Sequence, residues 1–367
     1  MTKTNKILIA LLAVQAVLAA ITWTAVKSTP EVTKKAPFFS FKSDDVTKVQ
    51  VVATQGDKVQ DPIVLEKDGD QWVLASSDKY PVKTDVMTEL LDLLTQITVD
   101  SPIATTSANH VTLNVAKDAF DRKVTLTAGG KDITVYLGRN TRGNAQIREE
   151  GKNDVFEAVG VSVWSINSRA SHYVDTQYLL ADADKTKRVT VTNAKGTIDF
   201  VKSGDDWDIP GLLDTLNASP EKPAEGEDAP LPKQLDKSAI KGFIDKFLDV
   251  KLSEPVGKTA KDEFGLKNGA KVVIETEKDG KPHTVELTVG DKDDASYRYI
   301  KSSDSEFIVK AANYGMEPAT QKEAKDFVKD AAPDNQNEPE MPQGMPQGMP
   351  PGMMMPQGGM PPGMMMQ

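Results

Sequence analysis

The stretch "KDGDQWVLA" (67–75) has a counterpart in "KSGDDWDIP" (202–210), where Gly69, Asp70 and Trp72 return as Gly204, Asp205 and Trp207. An internal echo restricts the fold strongly, because a duplicated segment implies a duplicated supersecondary unit. The echo extends in both directions. "DDVTKVQVV" (44–52) and "DKTKRVTVT" (184–192) precede the two tryptophans and alternate polar with β-branched residues, the period of a half-buried strand. "PIVLEKDGDQWVL" and "TIDFVKSGDDWDI" each read as strand, Asp/Gly turn and strand.

A helix is expected next in both copies. Met87, Leu90, Leu91 and Leu94 fall at i, i+3, i+4 and i+7, as do Ile240, Phe243, Ile244 and Phe247. Thr84 and Ser238 are the expected N-caps. Between the second tryptophan and its helix lies a Pro-, Glu- and Ala-rich surface insertion, 216–234. "AKDAF" (116–120) then pairs with "AKDEF" (260–264), and each is followed by a β-hairpin, ending at Gly138 and Gly290 respectively. A further strand, "NDVFEAV" or "DSEFIVKA", and a closing helix, "ASHYVD" or "AKDFVK", complete each copy.

The expected fold class is therefore α+β: two tandem repeats of an antiparallel sheet packed with helices, at 44–181 and 182–330. An N-terminal transmembrane helix is expected to precede them. From Ile7 to Val26 no residue is charged, and a helix of that length, about 30 Å, spans a bilayer core. A cleaved export signal is the competing reading, with Val17-Leu18-Ala19 as the cleavage site. The basic head Lys3 and Lys6 favours an orientation with the body outside the cytoplasm. Residues 1–27 thus form the anchor and 28–43 a linker. The segment 331–367 is a tail expected to be disordered, since it holds ten of the 13 methionines among Pro and Gly.

The order of strands, "GDxW" hairpin, leucine-rich helix, "AKDxF" segment and hairpin ending in Gly resembles a bacterial envelope family classed only as a domain of unknown function. Its members occur beside gliding-motility-type ABC transporter components. Gly265-Leu266 follows Phe264 as in that family, whereas Asp121-Arg122 follows Phe120. The resemblance implies an accessory protein of the bacterial inner membrane, single-pass and held through residues 7–26. Its body would lie in the periplasm and its partners would be ABC transporter subunits. No catalytic residue is implied.

Composition narrows the chemistry further. A net charge of −10 without a basic stripe argues against a nucleic-acid partner. The absence of cysteine removes disulfides, thiolate zinc sites and a cysteine nucleophile. His110, His172 and His283 lie in separate segments and read as packing or surface residues. Ser76-x-x-Lys79 and Ser238-x-x-Lys241 match the core of a serine–lysine dyad but lack its supporting motifs. Asp182 and Asp184, and Asp291, Asp293 and Asp294, read as solvated turn carboxylates rather than a calcium loop. Trp72 and Trp207 read as core anchors in preference to ligand platforms. The tail methionines offer soft ligands for Cu(I) or an adaptable contact surface; an unconstrained extension is the simpler reading.

No catalytic, cofactor or metal residue is assigned from the sequence. The expected function is that of a membrane-anchored extracytoplasmic accessory protein without enzymatic activity. A small-molecule or glycan binding protein, using a groove between the two modules, is the alternative.

Overall fold

The computed structural model describes residues 12–18, 35–56, 58–139, 143–218, 231–293 and 296–331. Two nine-stranded antiparallel sheets organise it. The first contains β1 (Val46–Gln55), β2 (Lys58–Val59), β3 (Ile63–Asp68), β4 (Gln71–Leu74), β5 (Tyr80–Pro81), β6 (Arg122–Ala128), β7 (Lys131–Arg139), β8 (Ala145–Glu149) and β9 (Phe156–Ala158). Its order is β9-β8-β7-β6-β1-β3-β4-β5, with β2 beside β1. Helices α1 (Thr84–Thr95) and α2 (Ala170–Tyr173) accompany it.

The second sheet contains β10 (Gln177–Leu180), β11 (Arg188–Asn193), β12 (Gly196–Ser203), β13 (Asp206–Asp208), β14 (Asp249–Gly257), β15 (Ala270–Lys278), β16 (Lys281–Lys292), β17 (Tyr297–Ser302) and β18 (Ile308–Ala312). Its order is β10-β14-β18-β17-β16-β15-β11-β12-β13. Helices α3 (Leu212–Ala218), α4 (Lys237–Leu248) and α5 (Asn313–Gln321) accompany it. Seven strands therefore run in the same spatial order in both sheets. The first sheet continues past its Trp72 strand with β5. The second continues past its opposite end with β14 and β10.

Period-2 sequence makes these strands and period-3.6 sequence makes the covering helices. β6 alternates buried and half-buried residues, with Val124, Leu126 and Ala128 in the first core. Met87, Leu90, Leu91 and Leu94 of α1 are buried against that face. Ile240, Phe243, Ile244 and Phe247 of α4 do the same in the second core. Each such side chain, fully buried, stabilises the fold by about 1.5–3 kcal/mol. The helix starts differ from expectation. Lys83, not Thr84, stands at the first N-cap. Asp236, not Ser238, caps the second, its carboxylate accepting the Ala239 N–H at 3.2 Å.

The expected fold class is corrected in two respects. Strand exceeds helix, at 44% against 26% of the described residues, so the chain is mainly β with several sheets. The expected closing helices shrink. α2 has one turn, and Ala324–Phe327 is a 3₁₀ turn that leads into a strand, Val328–Asp330. In addition, no helix among the described residues is long and apolar enough to cross a membrane, so no N-terminal transmembrane helix is seen. Residues 12–18 are helical, and the rest of the apolar run 7–26 lies outside the described residues, as does the tail from 332.

Two segments read as connectors are built into the fold. Ala36–Pro37 pairs with Thr98–Val99, and Phe39 is buried in the first core between Phe38 and Phe41. At the end of the stretch read as an insertion, 216–234, Lys233 and Gln234 run on with Leu235 into a strand that pairs with Val328–Asp330, and Asn217 exchanges two hydrogen bonds with Lys233. Residues 219–230 lie outside the described residues.

The sheets meet where the β4–β5 end of the first abuts β14 of the second. Ser77 Oγ donates to the Pro255 carbonyl at 3.0 Å, and the Lys258 N–H donates to the Asp78 carboxylate at 2.7 Å. The Tyr80 and Phe307 rings lie 4.5 Å apart. Tyr178 donates to the Phe307 carbonyl and accepts from the Ser302 N–H. Asp78 and Lys79 hold left-handed φ values of 52° and 64°, which non-glycine residues adopt only where surrounding contacts compensate.

Candidate functional site

The residues that gather at one end of the first core come from three separate stretches. β6 begins at Arg122, on the same face as Val124 and Leu126, and is therefore directed to the side covered by α1. On β7, Val135 and Leu137 face that side, and the alternation carries Arg139 there too. Beyond β9 the chain makes a 3₁₀ turn, Val163–Ser165, in which the Ser162 Oγ accepts the Trp164 N–H at 3.3 Å. That turn leaves Trp164 61% exposed.

Two guanidinium groups flank the indole, with Cζ of Arg122 5.3 Å and Cζ of Arg139 5.1 Å from its centroid. Arg122 is buried and held by its Nε donating to the Ile166 carbonyl and Nη1 to the Asp121 carbonyl, at 3.1 and 2.8 Å. Burial draws its pKa below the usual value, an effect that the Asp121 carboxylate opposes. Asp121 accepts the Arg139 N–H at 2.6 Å and lies 3.8 Å from Arg139 Nη2. The Arg139 side chain remains 57% exposed. Two cations thus stand beside an open indole, and the Asp121 carboxylate among them pairs with Arg139.

A cavity of about 230 Å³ reaches this group at Ser165, the residue after Trp164. α1 supplies Val86, Glu89, Leu90 and Leu93 to its wall, and Ser165, His172 and Tyr173 supply the rest. The buried Tyr173 donates its hydroxyl to the Asn167 carbonyl at 2.6 Å, and burial raises its pKa. His172 packs edge-on against Tyr173, and its pKa is lowered first by burial and then by Lys83. In the second sheet the space between helix and strands is filled. Phe200, Phe243, Phe247 and Phe327 form an aromatic cluster with centroid separations of 4.9–5.5 Å. A second cavity, about 260 Å³, lies beside β12 and is lined by Lys195, Leu212 and residues 322–325. There Glu323 pairs with Lys195 and Lys325 at 3.9 and 3.2 Å.

The residues singled out in the sequence fall elsewhere, His172 excepted. His110 is buried and bonded to the Asn153 carbonyl at 2.9 Å; His283 lies 2.8 Å from Asp304. Lys79 is ion-paired with Asp68 at 3.0 Å and Lys241 with Asp245 at 2.7 Å, so each serine–lysine match has its lysine engaged by a carboxylate. Asp182 accepts the Asp184 N–H and approaches Lys185; Asp293 engages Lys310 and the Tyr299 hydroxyl. Among the described residues, no group of three or more His, Cys, Asp or Glu could hold a metal ion. Trp207 is buried in the second core, and Trp72 packs half-buried against the first. Trp164, Arg122 and Arg139 were not singled out by their sequence pattern. The available signal was Asp121-Arg122 after Phe120, where the second copy has Gly265-Leu266.

Comparison with curated proteins and with solved structures finds no match. A family model does match, and it takes in part of each sheet, running from Trp72 on β4 to Gly269, the residue before β15. This is more than half of the chain and includes the whole Arg122–Arg139–Trp164 group. The chain belongs to the family described as Domain of unknown function (DUF4340).

Proposed function

We propose that this protein is a non-enzymatic accessory protein that acts outside the cytoplasm by docking to other proteins, as part of an ABC-type transport or envelope complex. The observation that carries the docking is the exposed Trp164 between two arginines beside an open cavity. Trp and Arg are the residue types most enriched at energetic centres of protein interfaces. The transport or envelope setting rests on the family resemblance of the hairpin and helix motifs and on the charge-free N-terminal segment as an export signal.

Small-molecule binding has less support. The cavity is below the roughly 300–1,000 Å³ of typical ligand sites, and the sheet junction is filled by Ser77, Tyr80, Tyr178 and Phe307. Affinity purification of the full chain from its own host after mild detergent extraction tests the proposal. Transporter subunits should co-purify in defined stoichiometry. A chain that purifies without protein partners, yet melts at a higher temperature with an added metabolite or glycan, would reverse the assignment.

A further inference from the structure

The docking reading can be narrowed to a partner chemistry, and the narrower proposal rests on that reading. We propose that the α1–Trp164 face binds an extended segment of a partner protein in which an aliphatic or phenyl side chain is followed closely by a carboxylate. The apolar side chain enters the cavity between α1 and α2. The carboxylate reaches Arg139 at the edge of Trp164.

Three observations converge on this. The apolar part of the cavity wall from α1 is Val86, Leu90 and Leu93, at i, i+4 and i+7, with Glu89 also in that wall; Val86 and Leu93 widen the core-facing stripe to which Leu90 belongs. On α4 the corresponding positions are Ala239, Phe243 and Lys246, and Phe243 is buried among other rings. The widening therefore belongs to the first helix alone. Next, two guanidiniums stand beside the indole with one carboxylate among them, that of Asp121, which pairs with Arg139, on a chain whose net charge is −10. A local cation on an acidic molecule selects an acidic partner by charge complementarity. Finally, the Arg122 guanidinium is fixed by two carbonyls and the backbone of Trp164 by the Ser162 cap, which lowers the ordering cost on binding. At the position equivalent to Arg139 the second sheet has Asp291, and at that of Arg122 it has Ala270, so the second face lacks the cations.

A displayed library of random peptides, selected against the purified full chain, tests the proposal. Enriched peptides should carry Leu, Ile, Met or Phe within three positions of Asp or Glu. Their affinity should fall about tenfold or more with Arg139→Asp, with Trp164→Ala, and with Leu90→Phe, which fills the cavity. Arg139→Asp alters an exposed side chain, so its unchanged melting temperature separates lost binding from lost folding. No enrichment, enrichment without carboxylates, or affinities that the three substitutions leave unchanged would each overturn the proposal. The same variants separate it from the broader reading. If transporter subunits co-purify equally with wild type and with the variants, this face is not the docking site although the accessory role stands. If none co-purifies with wild type, the accessory role itself fails.

Discussion

The first and second sheets set the same seven strands in the same order, and both are roofed by a twelve-residue helix, with four buried apolar positions in the first and five in the second. They differ in what fills the space under the end of that helix. The second uses Phe243, Phe247 and Phe327, and its core closes. The first uses Leu90, Leu94 and Tyr173, and a cavity of about 230 Å³ stays open beside Trp164. Elements common to both sheets are explained by folding. Elements present in one alone, the cations, the open indole and the widened stripe on α1, call for another explanation. The second sheet thus acts as an internal control for the first.

The comparison breaks most directly at the helices. Phe243→Ala removes a ring packed against three others and should cost about 3–5 kcal/mol, whereas Leu90→Ala borders an open cavity and should cost about 2 kcal/mol. Unfolding in denaturant measures both, and equal costs would mean that the two cores are filled alike. Next come the glycines that the sheets share. A Cβ on Gly138 would run into the Leu113 carbonyl, and one on Gly290 into the Phe264 carbonyl. Gly138→Ala and Gly290→Ala should each destabilise by about 1–3 kcal/mol, because backbone can give way only by moving a strand. A loss confined to one of them would show that the two hairpins are not anchored in the same manner.

The hairpins and helix stripes were legible because they are local. Gly69-Asp70 and Gly204-Asp205 sit within a few residues of the strands that they join, and the stripe of α1 lies within eight residues. Features that depend on distant residues were not legible. Around the Ser76-x-x-Lys79 match nothing in the sequence pointed to a contact, yet Ser77 and Asp78 within it reach Pro255 and Lys258 across the junction. Phe38 to Phe41 looked like linker because three aromatics in a short run have no period, and only Phe156 and the first core give them a place. The excess of strand arose in the same way: β14 and β10 join the sheet by pairing with partners far along the chain. Trp164 meets Arg122 from 42 positions away, so its role could not be read from neighbours.

Alkaline titration sharpens the comparison from the outer faces of the sheets. Phe120 and Tyr136 pack on the first and Phe264 and Tyr299 on the second. Burial, together with the Glu150 carboxylate, pushes Tyr136 up to about 12; burial, together with Asp293, does the same for Tyr299. At the junction, burial with Tyr178 and Asp175 nearby raises Tyr80 to about 12. A tyrosine whose folded pKa exceeds its unfolded value of about 10 leaves stability intact below that pH. Stability is then lost as pH rises from about 10 to about 12, since the unfolded chain releases protons that the folded chain keeps. Glu150→Gln should lower the Tyr136 pKa without affecting Tyr299, and Asp293→Asn the reverse, as followed by phenolate absorbance. A change at both tyrosines from one substitution would mean that the two faces are coupled through the junction.

The smallest expected effect is also the most discriminating. Leu90→Phe gives α1 the residue that α4 carries at the matching position. In a closed core a larger side chain costs about 1–3 kcal/mol through strain. Here the added ring has an open cavity to enter, bounded by Leu93 and Tyr173, so the change in stability should stay within about 1 kcal/mol of zero. The reverse exchange, Phe243→Leu, has no cavity to relieve and should destabilise more, since the ring lost from between Phe200 and Phe327 leaves a void. Unequal responses to the two exchanges would mean that the space under α1 is unfilled by construction. A full strain cost for Leu90→Phe would mean instead that Tyr173 and Leu93 already close it in solution, and the difference between the sheets would then rest on the arginines and Trp164 alone.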